Sequence, residues 1–260
     1  MSQFIDKLKR VSQAAPPPMG FRTAQSGSNK PRMLLIADLD QADIDDLAAR
    51  VAGADAGLLR IDKLSSGTKA LGKVSQAAPD IPWGGWLEGI AEKEAEHMAK
   101  FGFDFVVFPL ASTSLAILKD DKTGKILEIS TSLSEGLLPA VDELPADAVL
   151  AAGEQLKDYF LTWQHLMLFQ RCADLLTKPL LVSIPSNVSL NELQALWETG
   201  VNGVVVRIES EQPTGRVKEL RQAIDKLDFT APRKSKKPKP LLPYTNQKTY
   251  TVVEEEEEEE

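Results

Sequence analysis

Between residues 33 and 227, short apolar runs alternate with segments whose apolar residues recur every three or four positions. The runs at 33–38, 57–62, 82–88, 104–110, 125–130, 148–152, 179–184 and 203–208 read as strands. Each is short, mostly aliphatic or β-branched, and bounded by Gly, Pro, Asp or Ser. Their near-continuous apolarity suits parallel strands buried on both faces. After the first run, Ile44, Leu47, Ala48 and Val51 recur at helical spacing, with Asp40 placed to cap that helix. Helical spacing also occupies 68–76, 90–100, 156–176, 190–198 and 216–227. Eight strands joined by crossover helices predict a closed (β/α)₈ barrel of the TIM type, an open doubly wound sheet being the alternative. The connections at 112–118 and 134–145 are short, and Pro139 interrupts the second, so short or missing helices are expected after strands four and five.

The ends have a different character. Residues 4–11 form a short amphipathic helix that stops before Pro16-Pro17-Pro18, and the polar, Gly- and Ser-rich stretch 19–32 reads as a connector. Residues 232–243 carry four prolines among lysines, and 254–260 are seven consecutive glutamates. Such a tail cannot build a core and is expected to be disordered. The expected organisation is therefore a helix and connector at 1–32, a barrel at 33–230, and a basic-then-acidic tail at 231–260.

Charge narrows the partners. The net charge is −8, and the first 230 residues carry −7 of it, so a phosphate backbone is repelled and nucleic acid is not expected. One cysteine, Cys172, excludes an internal disulfide and a cysteine-cluster metal site; a reducing, cytoplasmic setting is expected. The first residues lack the apolar core of a secretory signal, and no stretch approaches a membrane span.

Strand alternation then says which side chains enter the barrel. With Leu59 and Ile61 facing the helices, Arg60 and Asp62 point inward; by the same rule so do Glu128, Ser130, Ser183, Arg207 and Glu209, with Ser186 in the loop beyond the seventh strand. Charges there need partners or ligands, because an unpaired ion in a barrel interior costs several kcal/mol. Two arginines suit a carboxylate or phosphate, and an acid such as Asp62 or Glu128 beside them suits proton transfer. The other reading is a self-satisfied salt-bridge network. Asp38 ends the first strand, either as a functional acid or as a helix cap with Asp40. Trp83-Gly84-Gly85-Trp86 provides either a floor for a planar ligand, through Trp86, or tight indole packing. Arg207 is expected at the mouth in contact with Glu128, Asp62 or Asp38.

Other signals are negative. His97 and His165 fall in helical segments, and Lys125 at a strand boundary is the one lysine of the strand set, so histidine triads, histidine-rich metal sites and Schiff-base chemistry are disfavoured. The run 67–73, GTKALGK, matches phosphate-loop spacing but continues into Val74 where a hydroxyl is needed. Cys172 belongs to an apolar helical pattern and reads as an inert thiol.

The run ELQALWETGVNGVVVRI at 192–208 resembles the last helix–strand unit of aldolase-type and ribulose-phosphate-binding barrels, and MLLIAD at 33–38 resembles their first strand. The resemblance implies the fold and a ligand site at the C-terminal strand ends. It carries over no catalytic residue: Ile208, Glu209 and Ser210 stand where phosphate-binding members place small residues, leaving Pro213-Thr214-Gly215 to offer backbone donors. The expected function is a lyase, isomerase or FMN-type oxidoreductase acting on a small anionic metabolite, with Asp38, Asp62 and Glu128 as catalytic candidates. Arg60, Arg207, Ser183, Ser186 and Trp86 are the ligand-binding candidates. No metal is expected, and the cofactor is not identified by sequence. The alternative is a noncatalytic ligand-binding or scaffold barrel.

Overall fold

The computed structural model describes residues 2–12, 33–40, 46–61, 64–130, 133–152, 160–209 and 214–228. Eight parallel strands pair in chain order and close on themselves: β1 (Leu34–Leu39), β2 (Ala56–Ile61), β3 (Trp83–Leu87), β4 (Phe105–Pro109), β5 (Gly124–Ser130), β6 (Ala148–Ala152), β7 (Leu180–Ile184) and β8 (Gly203–Ile208). β1 pairs with β8 along its full length, from Leu34 opposite Gly203 to Leu39 opposite Ile208. The closed (β/α)₈ barrel is the expected architecture, and the open sheet is excluded.

Two apolar layers build it. Outward residues such as Leu35, Leu59, Val106 and Val204 pack beneath the helices, while Leu34, Leu58, Phe105, Leu150 and Val205 fill the interior. The surrounding helices are α2 (Leu47–Arg50), α3 (Leu64–Ala77), α4 (Glu92–Ala95), α5 (Leu138–Glu143), α6 (Trp163–Leu175), α7 (Leu190–Glu198) and α8 (Arg216–Asp225). As expected, β4 is followed by only a 3₁₀ turn, Leu115–Lys119, and β5 by another 3₁₀ turn and the one-and-a-half-turn α5. Pro139 does not interrupt that helix but sits in its first turn, where a missing N–H costs nothing. Two helices are shorter than their apolar spacing implies. The segment 90–100 resolves into α4 and a 3₁₀ turn, and α6 begins at Trp163, where Thr162 and His165 cap each other reciprocally.

The remaining helix, α1 (Gln3–Ser12), closes the end of the barrel from which the strands start. Phe4, Ile5 and Leu8 are buried in the interior layer, and the Phe4 ring lies 4.5 Å from that of Phe105. Asp104, just before β4, caps this helix from outside: its carboxylate accepts from Gln3 N at 2.7 Å, Phe4 N at 2.9 Å and Ser2 Oγ at 2.8 Å. The helix grouped by composition with the connector is therefore part of the barrel core. No helix among the described residues is long and apolar enough to cross a membrane. The connector at 13–32 and the tail at 231–260 lie outside the described residues.

Candidate active site at the barrel mouth

The interior is apolar from α1 upward until the C-terminal strand ends, where it becomes charged. Asp38 and Arg207 are register partners on β1 and β8, and Arg60 lies opposite Trp86 on β2 and β3. Alternation aims all four inward, above the apolar layer formed by Ile36, Leu58 and Val205.

Asp38 is the most enclosed polar group of the set, with 0% exposure. Its Oδ2 accepts two bonds from Arg60, from Nε at 3.1 Å and an Nη at 2.8 Å. Its Oδ1 is buried with no hydrogen-bond partner among the described residues. Burial pushes the Asp38 carboxyl above the ordinary aspartate range; the Arg60 charge and hydrogen bonds oppose this only in part, and Asp40 adds to the rise.

Arg60 is held on three sides. Besides Asp38, its Nε lies 3.4 Å from Asp40 Oδ1, and its Cζ sits 4.1 Å from the Trp86 ring centroid. Trp86 in turn donates its indole N–H to Glu128 Oε2 at 2.8 Å, reaching from β3 to β5. Trp86 therefore carries a guanidinium on its ring. Gly84, two residues before it, makes room for a neighbouring ring: a Cβ there would lie 2.3 Å from the Phe105 ring.

Arg207 points into the mouth, as alternation requires, and among the described residues the carboxylate that holds it is Asp40. It pairs with Asp40, from Nε to Oδ2 at 3.1 Å and from an Nη to Oδ1 at 2.5 Å. The Asp40 hydrogen bonds push the guanidinium pKa further up. Asp40 is therefore not the cap of the helix after β1; that helix starts at Leu47 behind Asp46. Its place in the site was legible all the same, since it lies two residues beyond Asp38 and continues the inward face.

The other candidates fall at varying distances from this centre. Glu128 joins it through Trp86. Ser183 is buried on the inner face of β7, between the outward residues Val182 and Ile184. Ser186 contributes its backbone carbonyl to Arg216 Nε at 2.6 Å, in the loop beyond β7. Asp62 lies outside the described residues.

Groups away from the mouth are structural. Lys125 is buried at the opposite end and donates to the carbonyls of Asp120 and Thr123. GTKALGK lies within α3, so its spacing is that of a helix, not a phosphate loop. Cys172 is half-buried beside a small cavity of about 30 Å³ shared with Leu168 and Phe169, and burial pushes its thiol up. No cluster of three potential metal ligands occurs among the described residues.

Solved structures with this fold are numerous. A mutant tryptophan synthase α-subunit from Pyrococcus furiosus superposes with a TM-score of 0.55 at 14% identity, covering 75% of this chain and 97% of that one. The chain shares their (β/α)₈ barrel. Thiamine phosphate pyrophosphorylase from the same organism gives 0.56 at 13% identity over 75% and 96% of the two chains. A FabK mutant from Thermotoga maritima gives 0.54 at 16% identity over 80% and 65%. At these identities the likeness is one of fold. No family model matches the sequence, and no curated protein matches it.

Proposed function

We propose that the barrel mouth binds a small anionic metabolite and that Asp38 exchanges a proton with it. The observation that carries this reading is the Asp38 carboxyl: fully buried, anchored by Arg60 through one oxygen, unpartnered at the other, and raised in pKa. A carboxyl in that state is a better acid–base catalyst near neutrality than an ordinary aspartate, because its pKa moves toward the working pH. Most buried side-chain polar atoms have a hydrogen-bond partner, and Asp38 combines an unpartnered oxygen with a raised pKa, whereas Asp120, also buried with one oxygen unpartnered, has its pKa lowered. Arg207 and Arg60 supply the positive charge that draws an anion to the mouth, and the ring of Trp86 fixes Arg60. Lyase and isomerase reactions that move a proton beside a carboxylate fit these groups best.

A noncatalytic barrel is the second reading, favoured by the pairing of both guanidiniums with carboxylates of the chain itself. The two readings separate on incubation with a panel of small 2-oxo and 2-hydroxy acids in heavy water, followed by proton NMR. Expected is loss of a carbon-bound proton signal from at least one acid, abolished by Asp38→Asn and by Arg207→Met. Binding of an acid with no exchange by the wild type would establish the noncatalytic barrel instead.

A further inference from the structure

Asp40 occupies the position an incoming anion needs. Both of its carboxylate oxygens lie along one edge of the Arg207 guanidinium, at 3.1 and 2.5 Å, and Oδ1 also lies 3.4 Å from Arg60 Nε. Two-point contact along a guanidinium edge is how arginine holds any planar carboxylate. Yet the Asp40 side chain is 46% exposed, against 33% for Arg207 and 30% for Arg60. The carboxylate between the two cations is thus the group of the cluster most open to solvent. Asp38 is enclosed beneath the same Arg60, with its unpartnered Oδ1.

We infer that Asp40 is a tethered stand-in for the substrate's own carboxylate. The site accepts a small monocarboxylate on the Arg207–Arg60 edge, and the Asp40 side chain turns out to solvent as it enters. This rests on the mouth being a ligand site, as proposed above. The charge balance selects the class. An entering monocarboxylate adds one negative charge beside Asp38, the displaced Asp40 and Glu209, whose charge is already felt at Arg207, whereas a phosphate dianion adds two. The tether sets the affinity: a carboxylate on the same chain competes at an effective concentration on the order of millimolar. Asp40 therefore excludes stray weak acids and admits only a carboxylate that gains further contacts inside the mouth.

The test is rescue. Acetate and inorganic phosphate are titrated into wild type and Asp40→Asn, following the Arg207 Nε–H signal by ¹⁵N NMR and the affinity by calorimetry. Asp40→Asn is expected to move the Arg207 signal, and acetate to return it toward its wild-type frequency by refilling the same edge. Acetate is expected to bind the variant at least ten-fold more tightly than the wild type, and more tightly than phosphate binds it. In the wild type, acetate is expected to shift the same signal only at high concentration, a readout that needs no variant. Acetate binding that is not tightened, an Arg207 signal that acetate leaves unmoved, or a preference of the variant for phosphate would overturn the inference. If proton exchange depends on Asp38 while Asp40→Asn fails these tests, the tethered-competitor inference falls alone. If acetate rescues Arg207 while Asp38→Asn leaves exchange intact, the acid–base role falls and the carboxylate site stands.

Discussion

Arg60 holds a carboxylate with no access to water, whereas Arg207 holds one that is nearly half exposed. Loss of Arg60 leaves Asp38 buried without its counter-ion, and Arg60→Met is expected to cost about 3–5 kcal/mol at neutral pH. Loss of Arg207 leaves Asp40 free to turn into water, and Arg207→Met is expected to cost less than about 1 kcal/mol. The two also differ in pH dependence. The folded-state pKa of Asp38 is raised above its unfolded value, so its contribution is fully present below the unfolded value and is lost as pH rises through the folded one. Removing Arg60 raises the folded value further, because the Arg60 charge and hydrogen bonds lower it. The stability gap between wild type and Arg60→Met is thus expected to be small near pH 4 and to widen toward neutrality. Urea unfolding of both proteins across that range measures it, and a gap independent of pH would show that Asp38 is not the group left stranded.

The element that most changes the picture is α1. Its apolar positions Phe4, Ile5, Leu8 and Val11 were plain as an amphipathic face, but what that face covers was not. Phe4 is fully buried against Phe105 at the floor of the barrel, so Phe4→Ala is expected to destabilise by about 3–5 kcal/mol, as a buried core phenylalanine does. Denaturant unfolding checks this. A change below about 1 kcal/mol would mean that the helix lies on the barrel without contributing to its core. The shortened connections after β4 and β5 follow from local chemistry. Asp120 Oδ1 accepts from Lys122 N and Thr123 N, turning the chain directly into β5. α6 shows the converse: spacing alone reads a helix from 156, and the Thr162–His165 cap sets its start at Trp163.

For the molecule as a whole, charge and composition make their own prediction. The tail at 231–260 is rich in proline, lysine and glutamate, so its removal is expected to leave the melting temperature unchanged within about a degree or two. The barrel it leaves carries most of the −8 charge, and any binding to duplex DNA is expected to depend on the tail's lysines and to vanish with added salt. A melting temperature several degrees lower in the truncated chain, or salt-resistant binding that survives truncation, would contradict these expectations. The sequence by itself determined the eight strands and the inward face of the second, fifth, seventh and eighth, because burial on both sides of a parallel sheet leaves a continuous apolar run and a period of two that place Arg60, Glu128, Ser183 and Arg207 inside. Tertiary structure alone decided which charge meets which. Asp40 takes Arg207, Trp86 carries Arg60, and α1 closes the floor, since each depends on which elements the closed barrel brings together. Local spacing carries no record of that proximity.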